Sequence, residues 1–223
     1  MSKNTELTAV GYQPTIAGKL RSLGSFEEFF WLIDRNRPVH FALAAEVEGE
    51  TTIEQWRHAL NLVQRRHPLL SVSIEQEDDS TPYFVRRSAT PIPLRVIQGI
   101  NITHEWELEV ERELSQPFDP QAAPLIRAVL LHEESRAVCI LAVHPSIADG
   151  RSIQYAIRDL LQVLAGESLE TLPLLSQKMS FLGLPKTEKT KRSPGTRLIV
   201  RFKNRPPSTS TRIESARNSK RYN

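Results

Sequence analysis

Two almost continuous apolar runs, PLIRAVLLHE (124–133) and RAVCILAV (136–143), are separated only by Glu134-Ser135 and set the tightest limit on this chain's fold. Such runs, short and rich in Val, Ile and Leu, read as two neighbouring strands joined by a tight turn. Strands buried along their length need other elements to cover them, so the rest of the chain must supply covering layers.

It supplies them in alternation. FALAAEVEG (41–49) is strand-like and ends at Gly49. SVSIEQE and PYFVRRS, split by Asp78-Asp79-Ser80, read as a hairpin, and PLRVI (93–97) as a short strand. Ser25 with Glu28 matches a capping box ahead of the apolar helix FEEFFWLID, and Thr51 with Glu54 repeats the pattern. Ile53, Trp56, Leu60 and Val63 then recur at helical spacing up to Pro68. A polar helix follows with Trp106, Val110 and Leu114 on one face. The last helix runs from about Ser152 to Ala165, with Ile153, Ala156, Ile157, Leu160, Leu161 and Leu164 as its stripe and Gly166 as its stop. The Trp56 and Trp106 stripes are expected to be core. Strands mixed with helices argue α/β or α+β.

Charge divides the chain where this patterning ends. Residues 186–223 carry twelve Lys/Arg and two acidic residues, a net of +10, whereas residues 1–185 have a net of −7. The stretch after Leu184 has one short apolar run, Leu198-Ile199-Val200, and cannot bury enough surface to offset ordering entropy. The expected organisation is a loose lead-in at 1–18, a folded lobe at 19–175 and a disordered basic tail at 176–223. A solvated tail is favoured over a nucleic-acid arm, because its only interleaved aromatics are Phe202 and Tyr222 and it has no recognisable binding fold. An out-of-frame extension of an interrupted gene is a further reading of the break. The single cysteine, Cys139, excludes an internal disulfide and a Cys-based metal cluster, and the six histidines show no ligand spacing. No apolar run is long enough to span a membrane, and the polar N-terminus lacks a secretory pattern, so a cytoplasmic protein is expected.

The chemistry-bearing stretch is Cys139 to Ser152, where an apolar strand enters a polar loop that becomes a helix near Gly150. This places His144 and Asp149 at a strand-to-helix junction that can face a cleft. On the residues alone, Asp149-Gly150 is a turn, Asp149 or Ser152 caps the helix, and His144 is a satisfied strand-end histidine.

VHPSIADGRS (143–152) resembles the HHxxxDG signature of the CoA-dependent acyltransferase superfamily. That group includes peptide-synthetase condensation domains, chloramphenicol acetyltransferase and the phthiocerol/phthiodiolone dimycocerosyl transferases. QRRHPLLSVSIEQ (64–76) resembles the family's RHPxL segment, and QPFDPQAAPLIRAVLL (116–131) its PFDxxxxPLxR segment. The order of the three matches the family's N-terminal lobe over about residues 20–175. GKLRSLGSFEEFFWLIDR (18–35) is similar to lipid- and polyketide-associated members, and Ser71, where condensation domains usually carry Arg, favours the same branch.

The resemblance implies the N-terminal half of a chloramphenicol-acetyltransferase-like α/β sandwich, a mixed sheet packed on helices. The implied reaction moves an acyl group from a CoA or carrier-protein thioester to an alcohol or amine, with no bound cofactor or metal. It also implies that Asp149 organises the loop through an ion pair; Gly150 is expected to serve a tight backbone turn on either reading, and Arg127, on a strand in the PFD segment, to be a structural ion-pair partner. Two departures follow. Pro145 occupies the position of the family's catalytic base, and His144 matches the first, supporting histidine. A positioned base is worth roughly 10²–10⁴ in rate, and proline has no side-chain acceptor. The second lobe of the longer relatives is not recognisable after residue 175, so a separate second lobe or self-association is an expected partner. The reading is therefore an acyltransferase-type protein impaired at its base, with a non-catalytic remnant or binding module as the alternative.

Overall fold

A computed structural model of the chain describes residues 18–78, 80–99, 102–174 and a strand at 198–201. The chain enters through β1 (Lys19–Ser22) and turns at Gly24 into α1 (Ser25–Asp34). The cap lies one residue earlier than the Ser25/Glu28 pattern predicts: Gly24 is the N-cap, and its N–H donates to Glu27 Oε2 at 2.6 Å. The same carboxylate takes both terminal nitrogens of Arg21 at 2.7 Å, which ties β1 to the helix start.

The expected strand forms as β2 (Phe41–Glu48), followed by α2 (Ile53–Arg66). Here the cap falls one residue later than predicted. Thr52 and Gln55 exchange the reciprocal bonds, leaving Thr51 Oγ1 to accept from Trp56 Nε1 at 3.0 Å and to bond His132 Nε2 at 3.1 Å. Pro68 ends α2 as expected and opens a 3-10 turn, Pro68–Ser71. The hairpin is β3 (Val72–Glu75) with β4 (Tyr83–Arg86), and β5 (Leu94–Ile97) precedes α3 (Ile102–Leu114). The two apolar runs are β6 (Ile126–His132) and β7 (Arg136–Val143), and α4 spans Gly150–Leu164. Gly166 (φ 85°) ends α4 in the left-handed region that its lack of a Cβ allows.

The strands make two sheets, of which the larger is the mixed sheet expected. The larger has the order β5-β6-β7-β2-β8, with β8 at Leu198–Arg201; its β5–β6 pair is parallel and the others antiparallel. The smaller, β1-β4-β3, forms because the hairpin's free edge on β4 is taken by β1. Alternation along a strand says which residues share a face but not which strand sits beside it. β6 and β7 are buried almost throughout, so both faces of the large sheet are covered. α3 packs on β2, β6 and β7, while α4 packs on α2 and β2. Trp56 is wholly buried as expected, and Trp106 is only partly so.

The α/β class and the element order of the lobe agree with the sequence reading. The basic stretch differs at one place: Leu198–Arg201, expected to be part of a disordered tail, lies antiparallel on the open edge of β2. Ile199 and Val200 are β-branched and suit a strand, and the edge of β2 offers a ladder of backbone hydrogen bonds. The remainder of 176–223, the lead-in up to residue 17, and Asp79 lie outside the described residues. No helix among those described is long and apolar enough to cross a membrane.

Candidate functional site

The loop between β7 and α4 begins with a local turn that the sequence dictates. Ile147 N–H donates to His144 O at 3.1 Å, with Pro145 at the second position, where its fixed φ suits such a turn. His144 is wholly buried. Its Nδ1 accepts the Ser146 backbone N–H at 3.1 Å, so the neutral ring carries its proton on Nε2. That Nε2 lies 3.4 Å from Asp34 Oδ2, in electrostatic reach but without hydrogen-bond geometry. Asp34 is aimed by its other oxygen, which accepts from Val39 N–H at 3.0 Å. Ser146 Oγ donates to the Glu27 carbonyl at 2.7 Å. The loop is thus tied to both ends of α1.

A second histidine completes the cluster. Phe41 pairs with Val143, so the register sets His40 opposite His144 where the two strands meet the loop. His40 Nε2 donates to Glu113 O at 3.0 Å, and its Nδ1 has no hydrogen-bond partner among the described residues. Phe118 of the PFD segment meets both imidazoles edge-to-face, at 5.4 Å from His40 and 6.2 Å from His144. Arg127 covers that ring at 4.0 Å, pairs with Glu113 Oε2 at 3.0 Å and donates to the carbonyls of Glu113, Gln116 and Pro117. The structural role expected for Arg127 is therefore what the structure shows. Burial lowers the pKa of His144, opposed in part by Asp34, and burial lowers that of His40 against its bond to the Glu113 carbonyl. Both rings are neutral near pH 7. Neither Asp34 nor His40 stood out in the sequence, because each reaches the loop through tertiary pairing.

The RHPxL segment forms a separate node. Asp159 on α4 is wholly buried; its Oδ2 accepts from Arg66 Nε at 2.7 Å and bonds His67 Nε2 at 2.8 Å, while Oδ1 accepts from Arg158. Burial alone would raise its pKa, but the bonds from His67 and Arg158 and the Arg66 charge outweigh it and hold the carboxyl below its usual value. This fixes α2 against α4 at the level of the loop. Beside it a recess of about 170 Å³ is lined by Pro68, Leu69 and Leu70, by Ile147 and Ala148 of the loop, and by Ile153 and Ala156 of α4.

Two expectations need correction. Asp149 makes no ion pair among the described residues; it is exposed, and its Oδ1 accepts from Ser152 N at 2.7 Å and Ser152 Oγ at 2.6 Å as the N-cap of α4. Of the two caps the residues allowed, Asp149 is the one used. Gly150 is not required by backbone geometry: it starts α4, and a Cβ there would meet nothing within 4 Å. Cys139, buried in β7, has its thiol pushed up to about 12 by burial and is an inert core residue.

The arrangement holds a loop rigidly, and the described residues put no free imidazole nitrogen at its surface. Known proteins match this fold. The family model described as "Condensation domain" matches residues 32–182. Surfactin synthase subunit 2 of Bacillus subtilis is 29% identical over 133 residues, covering 59% of this chain and 4% of that protein. Tyrocidine synthase 3 of Brevibacillus parabrevis is 25% identical over 178 residues, covering 78% and 3%. Among solved structures, the first condensation domain of the calcium-dependent antibiotic synthetase, in complex with a substrate analogue, superposes with a TM-score of 0.63 at 19% identity, covering 74% of this chain and 44% of that one. SgcC5 of Streptomyces globisporus gives a TM-score of 0.56 at 27% identity, covering 72% and 40%. The chain spans 1–5% of the length of the curated relatives it matches and 36–44% of the solved chains. With the three motif segments clamped around one loop and the family model matching most of its length, this chain belongs to the condensation domain family and carries the N-terminal part of its chloramphenicol-acetyltransferase-like α/β fold.

Proposed function

We propose that this lobe binds a thioester-linked acyl group, carried by CoA or an acyl-carrier protein, and takes part in its transfer to an amine or alcohol, with weak catalysis by the chain alone. The observation that carries this reading is the state of His144. In the transfer the acceptor lone pair bonds to the thioester carbonyl carbon, the C–S bond breaks, and the acceptor proton ends on the leaving thiol. A base positioned at the acceptor speeds this by roughly 10²–10⁴. His144 is wholly buried, with Nδ1 occupied by its own loop and Nε2 turned to Asp34. Pro145, next to it, has no acceptor on its side chain.

The same observation favours a second reading, a binding module without turnover. Release of free thiol from acyl-CoA and acyl-carrier donors, with and without an amine or alcohol acceptor, separates the two. Slow acceptor-dependent release supports weak transfer, and none supports the binding module. Transfer at ordinary enzyme rates that His144→Ala abolishes would refute both and make His144 the base. Pro145→His alone should restore little, because an imidazole there also needs a second lobe to exclude water from the thioester. Adding such a lobe together with Pro145→His should do more than either change.

A further inference from the structure

The recess beside the signature loop is not used by any step above. Its floor is Leu70, Ile153 and Ala156, each nearly or wholly buried, and Ile147 and Ala148 of the loop form one wall. The opposite rim is Leu172, 38% exposed, whose N–H is fixed to Arg66 O at 3.0 Å. Arg66 also holds the Glu170 carbonyl, so the rim hangs from the Asp159 clamp. The polar atoms at its edge are engaged elsewhere: Ser152 Oγ donates to Asp149, and His67 Nε2 bonds Asp159. Most of what remains facing inward is hydrocarbon.

Size then selects the ligand. An apolar cavity of about 150 Å³ stays dry and takes up benzene, a six-carbon body. This recess is about 170 Å³ and open on one side, so a chain can enter while its polar end remains outside. We propose that it receives a linear apolar chain of about six carbons, the tail of the thioester-borne acyl group. The acyl source rests on the proposed function, whereas the apolar site itself does not.

The test uses the full chain and methyl NMR at Ile147, Ile153, Ala156 and Leu172. Hexanoyl-N-acetylcysteamine should shift these methyls and bind at least about tenfold more tightly than acetyl-N-acetylcysteamine, because the four extra carbons leave water. Ala156→Leu, which fills the floor, should erase that difference. Leu172→Ala, on the exposed rim, keeps the core intact and should move the preference towards octanoyl. Equal affinity for the two thioesters, shifts confined to other residues, or a preference unchanged in both variants would overturn the proposal. Free n-hexanol distinguishes the source: if it shifts the same methyls and the hexanoyl thioester does not, the acyl assignment falls. Thiol release plays no part in this assay, so its failure and that of the transfer reading are read separately.

Discussion

Replacing Asp159 with Asn should cost this lobe about 3 kcal/mol, near the lower end of the range for removing one member of a buried ion pair. The carboxylate is wholly buried, whereas the side chains of Arg66 and His67 are 17% and 20% exposed. The two donors can therefore recover some hydration, which places the loss below the upper limit. Arg158, 41% exposed, adds little because solvent screens it. For a lobe of this size the loss corresponds to a fall of about 6–12 °C in Tm. Urea unfolding followed by tryptophan fluorescence measures it, since Trp56 is a buried residue of α2, one of the clamped helices. The pH dependence gives a second signature. The folded pKa of Asp159 lies below its ordinary 3.8, so its contribution is complete above that value and is lost as pH falls through the folded pKa. The parent and Asp159→Asn curves should therefore run parallel from pH 7 to 5 and converge in strong acid. A variant within about 0.5 kcal/mol of the parent at pH 7, or a gap that does not close in acid, would refute the clamp.

The buried imidazoles predict a loss in the same direction at higher pH: His40 and His144 are held neutral by burial, so the unfolded chain takes up protons first and stability should fall as pH drops through the ordinary histidine value of 6.5. Imidazole NMR should show neither ring titrating at that value in the folded state, and normal titration of His144 would contradict its burial. Arg127→Lys should lose about 2 kcal/mol, read by urea unfolding, because an ammonium cannot pair with Glu113, reach three carbonyls and cover Phe118 together; full retention would remove the role given to the guanidinium. Phe26 and Phe29 on α1 are 61% and 53% exposed, so Phe26→Ser with Phe29→Ser should change stability by less than about 0.5 kcal/mol. Light scattering should show the parent associating and the double variant associating less; a monomeric parent or unchanged association would refute self-association through this face.

The local pattern carried most of the elements. Val/Ile/Leu runs at 124–143 made adjacent strands, the helical spacing of Ile53, Trp56, Leu60 and Val63 made α2, and Pro68 ended it, because each depends on neighbours within a few residues. Caps were legible only to within one position: Thr51 and Thr52 both suit the role, and Thr51 was drawn off by Trp56, five residues along, and by His132, which tertiary packing brings near. The motif segments named the loop, yet their roles came from contacts distant in sequence. Asp149 caps its own helix, while Asp159, unmarked in the sequence, takes Arg66 and His67 from ninety residues away. His40 and Asp34 surround His144 only because Phe41 pairs with Val143 and α1 lies along the loop. Sequence periodicity reports which face of an element is apolar, and this determined helix, strand and the position of the loop. Which edge meets which, and hence which nitrogen is buried and which carboxylate is shared, depends on register between distant segments, and that is decided only when the sheets assemble.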